Sequence, residues 1–161
     1  MSSAAESATT GFLVWRLSMK WRVAVDRALA PLGLTHAQYA VLASLYGMGR
    51  SGLRPSQRRL ADHTGLEALY VSKLARALEG AALVARTRDP DDPRAMQLTL
   101  TEHGHEVTAR AITVVQGLLD QLLEPLGGQH GPRAREFTRD LAVLLDAPLD
   151  PRTDDDEEHQ S

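Results

Sequence analysis

Ser56-Gln57-Arg58-Arg59-Leu60-Ala61-Asp62-His63-Thr64-Gly65-Leu66-Glu67-Ala68-Leu69-Tyr70-Val71-Ser72-Lys73-Leu74-Ala75-Arg76-Ala77-Leu78-Glu79 is the stretch on which the fold turns. Ser56 is an N-cap candidate, since its hydroxyl oxygen accepts a hydrogen bond from a first-turn backbone N–H. The short helix it starts covers Arg59 to His63 and breaks at Gly65. A second helix follows from about Glu67 to Glu79, with Val71, Leu74 and Leu78 spaced as one buried stripe. Two short helices meeting through a tight turn that contains a glycine satisfy the requirement of a helix-turn-helix.

Downstream, Leu83 to Arg88 alternates like a strand, Asp89-Pro90-Asp91-Asp92-Pro93 is dense turn chemistry, and Met96 to Leu100 alternates again. Together they predict a β-hairpin with a charged, proline-bearing tip. Thr101 then caps a long helix whose apolar residues, from Val107 to Leu126, cover much of its circumference. After a break at Gly127 to Pro132, a last helix runs from Arg133 to Asp146, with Phe137, Leu141, Leu144 and Leu145 expected inward. Pro148 closes it.

Upstream, Phe12 to Leu32 reads as a long first helix, apolar on two flanks and ended by Pro31 and Gly33. Burial against a second chain or within the same chain are both open for it. Thr35 with Gln38 three residues on forms a capping-box pattern that starts the next helix, expected to stop at Gly47, Gly49 and Gly52. The expected fold class is mainly α with a small β-wing, a winged helix-turn-helix core between N- and C-terminal dimerisation helices. Its expected segments are a disordered start over 1–10, one domain over 11–147 and a disordered acidic tail over 148–161. Within the domain, the helix-turn-helix takes about 56–79, the wing about 83–100, and the dimerisation helices about 11–32 and 102–147.

Composition bounds the chemistry. The 161 residues fit one domain, and the absence of cysteine excludes disulfides, thiol catalysis and thiolate metal sites. Net charge is −3, yet Asp150 to Ser161 holds six acids against Arg152, which leaves a mildly basic body. Nearly all the basic residues are arginine, a bias that suits phosphate and guanine contacts and that a genome-wide base skew also produces. Met1 to Thr10 lacks the pattern of a signal peptide, and no apolar run reaches the roughly 20 residues of a membrane span. A soluble, cytoplasmic protein with no membrane partner is expected.

The order and spacing of Leu60 to Leu66, Val71-Ser72-Lys73-Leu74, Leu78-Glu79, Leu83 to Arg86, Asp89 to Ala95 and Leu98 to Gly104 resembles the MarR family of bacterial transcriptional regulators. The motif-bearing part covers 56–104, and the flanking helices extend the resemblance to about 10–147. Three departures stand out: Pro93 where the wing usually has the first of two arginines, Ala82 for a usual glycine, and Glu67-Ala68-Leu69-Tyr70 where the recognition helix often starts with Ser or Thr.

A helix-turn-helix of this kind lays its second helix in the major groove. Glu67, Ala68 and Leu69 would sit at the tip, Tyr70, Lys73 and Arg76 would reach bases or phosphates, and Ser72 would donate to phosphate. Ser56 and Gln57 open the preceding helix, whose free N–H groups and dipole suit a phosphate. Arg86 and Arg88 on the leading strand would lie near phosphates. Arg94 resembles the family's tip arginine, which reaches the minor groove, and Asp89 or Asp91 would position it by a salt bridge.

The resemblance also implies a homodimer on double-stranded DNA, and a small aromatic or anionic ligand bound between the dimerisation helices and the DNA-binding lobe. Trp15, Met19, His36, Tyr39 and Tyr46 are candidates to line that pocket, with ordinary core packing the alternative. No cofactor is expected. His103 and His105 lie two apart, a spacing that does not face both toward one metal ion, so no metal site is assigned. The chain carries no phosphate loop, nucleophile elbow or metalloprotease motif, so no enzyme is expected. Two functions remain, a dimeric operator-binding repressor and a winged-helix module that binds protein instead of DNA.

Overall fold

The computed structural model describes residues 8–149. In chain order these form α1 (Thr10–Leu29), α2 (His36–Arg50), α3 (Gln57–Thr64), α4 (Ala68–Gly80), β1 (Val84–Arg88), β2 (Met96–Leu100), α5 (Glu102–Leu123) and α6 (Pro132–Asp146). The mainly helical class with a two-stranded wing is therefore observed. The chain divides into two compact units, up to Leu118 and from Leu119 onward, with the division falling inside α5. The disorder expected at residues 1–7 and 150–161 lies outside the described residues. At residues 8–10 the expectation is corrected: Thr9 caps α1, its hydroxyl oxygen accepting from the Phe12 N–H at 3.3 Å.

In the first unit, local signals set the helix ends. Thr35 and Gln38 close a full capping box at the start of α2, with bonds of 3.2 and 3.0 Å. The Asp26 carboxylate accepts from the His36 N–H at 2.7 Å and ties α1 to α2. Helix α2 ends at Arg50, within the expected stop at Gly47, Gly49 and Gly52, with the first two glycines still helical. Each glycine costs a helix about 1 kcal/mol relative to alanine. Packing of Val41, Leu42 and Leu45 in the core, and of Met48 beside it, offsets that cost.

Ser56 caps α3, its oxygen accepting from the Arg59 N–H at 3.2 Å, and Gly65 ends the helix in the left-handed region at φ 72. Val71, Leu74, Ala75 and Leu78 then bury one face of α4. They join Leu29, Leu42, Leu60, Leu98 and Val107 in a single core. The strands pair antiparallel from Val84↔Leu100 to Arg88↔Met96. The wing is also tied to the head of α3, because the Leu98 N–H donates to the Pro55 carbonyl at 3.0 Å.

One junction fixes where α4 ends and the wing begins. Ala82 takes φ 58, a left-handed conformation that a side chain disfavours. The Leu83 carbonyl accepts from the Thr101 N–H at 3.1 Å, and the Thr101 hydroxyl donates to the Ala82 carbonyl at 2.6 Å. That same hydroxyl oxygen caps α5 by accepting from the Gly104 N–H at 2.9 Å. Gly104 packs so tightly against the Leu83 carbonyl that a Cβ there would collide with backbone.

In the second unit, Leu123 and Ala134 are buried. Gly127 and Gly128 turn the chain with φ 87 and 80 before α6. The expected inward set on α6 is corrected in part: Phe137 is half-buried, but Leu141, Leu144 and Leu145 are all exposed, Leu145 by 85%. This face of α6 has no covering partner among the described residues.

The junction yields a paired prediction. Gly104→Ala should destabilise the protein by about 3 kcal/mol, because the clash is with backbone that cannot rotate away. Ala82→Gly should instead stabilise it by about 1 kcal/mol through relief of the left-handed strain. Urea unfolding of the two variants checks both signs.

Candidate nucleic-acid interface

With Val71, Leu74, Ala75 and Leu78 buried, the outer face of α4 presents Ala68, Leu69, Tyr70, Lys73 and Arg76 to solvent, and Ser72 is half-buried. Glu67 occupies the N-cap position but makes no side-chain capping bond. Its exposed carboxylate and the unsatisfied N–H groups of the first turn therefore sit together at the tip. At the head of α3, the Ser56 hydroxyl is already a cap acceptor and keeps its own O–H to donate. The Gln57 side-chain Nε2 is enclosed by protein and has no hydrogen-bond partner, so only the backbone N–H of Gln57 remains for the expected phosphate contact. Its neighbours Arg58 and Arg59 are exposed and were not among the expected contacts. Two adjacent arginines in the first turn after the Ser56 cap are the sequence signal that marks them as candidates.

The wing departs further from expectation. Arg88 and Arg94 are exposed. Arg86 is instead bound to Glu79, Nε to Oε2 at 3.0 Å and Nη2 to Oε1 at 3.1 Å. Hydrogen bonding from Arg86 holds the Glu79 carboxyl below its usual pKa. Arg86 thus acts as a strut between α4 and β1, where a phosphate contact was expected. The salt bridge expected from Asp89 or Asp91 to Arg94 is also absent. Among the described residues the Arg86–Glu79 pair is the only ion pair. The Asp89 carboxylate accepts from the Asp91 N–H at 2.8 Å, and the Asp92 carboxylate from the Arg94 N–H at 3.0 Å. These acids fold the tip through backbone bonds, which leaves the Arg94 guanidinium outward.

The five residues expected to line a ligand pocket are not brought together. Trp15 and Met19 flank a shallow depression along α1 with Val23 and Arg27. Tyr39 packs against the core, where burial pushes its hydroxyl pKa up. Tyr46 meets His105 edge-on at 5.8 Å. Only His36 reaches a larger cavity, of about 520 Å³, which Arg22, Asp26, Thr35, Leu66 and Tyr70 also line. This cavity lies under the first turn of α4, because Tyr70 belongs to both. Among the described residues no cluster of three or more potential metal ligands occurs, and no helix is long and apolar enough to cross a membrane.

Comparison with known proteins follows the same architecture. The profile of the MarR family matches residues 32–95. The HTH-type transcriptional repressor Rv2887 of Mycobacterium tuberculosis is 34% identical over 140 residues, 87% of this chain and 96% of its own length. The chain belongs to the MarR family. Another relative of this MarR protein is the uncharacterized HTH-type transcriptional regulator YdcH of Bacillus subtilis, 35% identical over 106 residues, 66% of this chain and 72% of its own. Rv2887 has been solved in complex with DNA, with a TM-score of 0.65, 31% identity and coverage of 86% and 98% of the two chains. It has also been solved with salicylic acid, at a TM-score of 0.64 and 32% identity, covering 87% and 98%. CouR from Rhodococcus jostii, bound to p-coumaroyl-CoA, superposes with a TM-score of 0.73 at 25% identity, covering 91% and 97%. The MarR fold is thus matched over helices, helix-turn-helix and wing alike.

Burial, the largest cause, lowers the His36 pKa below its ordinary 6.5; Asp26 opposes this and Arg22 adds to it. The folded state holds that proton more weakly than the unfolded chain does. The His36 contribution to stability is therefore complete above pH 6.5 and is lost as pH falls below it. Thermal unfolding across that range should show the wild type losing stability faster on acidification than His36→Gln. Parallel curves would contradict the assignment.

Proposed function

We propose that this MarR-family chain is a homodimeric transcriptional repressor that binds a pseudo-palindromic operator in duplex DNA and is released by a small aromatic or anionic ligand. The observation that carries the reading is the two-faced character of α4. Its inner face is locked into the core, while its outer face offers Tyr70, Lys73 and Arg76. Exposed Arg58 and Arg59 on α3, and Arg88 and Arg94 on the wing, add cations on the neighbouring elements. A helix held rigidly from behind and left polar in front is suited to enter a major groove. Phosphates would be met by the arginines, the Ser56 hydroxyl and the N–H groups at the head of α3. The structures of Rv2887 with DNA and with salicylic acid support both halves of the proposal.

The dimer is supported by apolar residues that this chain leaves uncovered. Phe12, Val14 and Trp15 on α1 are each more than half exposed, as are Val143, Leu144 and Leu145 on α6. A monomeric soluble protein rarely leaves such side chains in water on two helices at once. A second copy covers them and sets two α4 helices on successive half-sites, about 34–36 Å apart. Ligand release acts through that spacing. The cavity beneath α4 brings Arg22, His36 and Tyr70 together, a cation, an imidazole and an aromatic ring suited to an aromatic acid. Work on DNA places the protein in the cytoplasm, and the reading assigns it no catalysis.

Gel-shift titration against the DNA upstream of its own gene tests the proposal. A specific shift is expected, weakening steeply with salt because bound phosphates release counterions. Arg94→Ala should weaken binding on every sequence. Salicylate should release the DNA, and Arg22→Ala should abolish that release. If neither this fragment nor a genome-wide selection yields a specific complex, the winged helix binds protein instead.

Leu144→Asp places a charge on the proposed dimer face. Sedimentation analysis should then find monomer in place of dimer, with a far-ultraviolet spectrum like that of the wild type. A wild-type chain that is monomeric at micromolar concentration would contradict the dimer.

A further inference from the structure

Leu69 is 85% exposed, and no large apolar side chain in the first unit is more so. It stands in the first turn of α4, one helical row from Lys73 and two from Arg76, with small Ala68 beside it. This is an isolated apolar knob among charges, unlike the broad apolar surfaces left on α1 and α6. A protein-binding hot spot is ringed by further apolar contacts, whereas Leu69 has only Ala68 and the half-exposed, hydroxyl-bearing Tyr70 beside it on the outer face. The other side chains at the tip are equally distinctive. The side chains of Glu67 and Ala68 offer no hydrogen-bond donor, and the Glu67 carboxylate opposes a phosphate at the free N–H groups of the first turn. Lys73 and Arg76 supply the grip on phosphate one and two turns further along.

In the major groove one base carries an apolar group on its edge, the C5-methyl of thymine. We propose that Leu69 reads a thymine methyl in each operator half-site, making it a specificity-determining residue of this protein. The inference rests on the operator-binding reading, and it names which base feature the tip of α4 selects. Leu69 packs on the methyl while Lys73 and Arg76 hold the flanking backbone, so contact and register come from the same helix face. Replacing the leucine removes the preference for thymine without disturbing the core, because the side chain makes no part of it.

The test uses the full-length protein and a duplex that it selects from a random pool. Each thymine of the selected site is replaced in turn by deoxyuridine, which keeps base pairing and removes only the methyl. At one or two positions per half-site, wild-type affinity should fall about four- to tenfold, the scale of burying one methyl group in a close contact. At those positions Leu69→Ala should bind thymine and uracil duplexes equally, with an unchanged unfolding midpoint. Selection of a specific site whose uracil variants all bind the wild type normally would overturn the inference and leave the operator reading intact. So would a uracil penalty that persists in Leu69→Ala. If no sequence is enriched at all, the operator reading itself fails, and this inference fails with it.

Discussion

The backbone of Gly104 lies against the carbonyl of Leu83, and the geometry of both candidate reading elements depends on that contact. Leu83 is the link between the end of α4 and the first strand of the wing. Thr101 grips the same link from the other side, donating to the Ala82 carbonyl and capping α5 through Gly104. The recognition helix, the wing and the long α5 are thus joined within a few residues. Arg86 and Glu79 brace the same corner with a bidentate ion pair. A side chain at 104 would push α5 away from this corner. The strained Ala82 shows the opposite feature, a tight turn kept although its residue disfavours it.

Behind this corner, α4 spends one face entirely on the core. Exposed pairs such as Arg86–Glu79 contribute little to stability, so burial of Val71, Leu74 and Leu78 carries the energetic load. That division leaves the outer face of α4 unconstrained by folding, and the residues on it are therefore open to a role in recognition. The acids at the wing tip follow the same economy. Asp89 and Asp92 are used up on backbone N–H groups, which folds the tip and turns the arginine outward.

Much of the fold was legible because its signals are local. The Thr35–Gln38 capping box, the Ser56 cap, the left-handed Gly65 and the strand from Met96 to Leu100 all stand where the sequence places them. The recognition helix was legible for the same reason, through the spacing of Val71, Leu74 and Leu78. Errors arose where tertiary packing decided. Of the expected stop at Gly47, Gly49 and Gly52, the first two glycines stay helical because α2 is held on its apolar side. Arg86 is captured by Glu79 only once β1 folds back along α4. The cavity that gathers Arg22, His36 and Tyr70 joins residues from three helices, and no spacing within the chain announces it. The outward turn of Leu144 and Leu145 was missed because an amphipathic pattern tells which face is apolar, not which molecule covers it.

The most direct test of the account is site-specific photo-crosslinking to duplex DNA in the assembled complex. A photoreactive amino acid is placed in turn at positions 69, 73 and 94, and at 143 on the exposed face of α6. The account predicts strong crosslinks from the first three positions and none from 143. A complex that forms specifically yet crosslinks through 143, and through neither 69 nor 94, would contradict it.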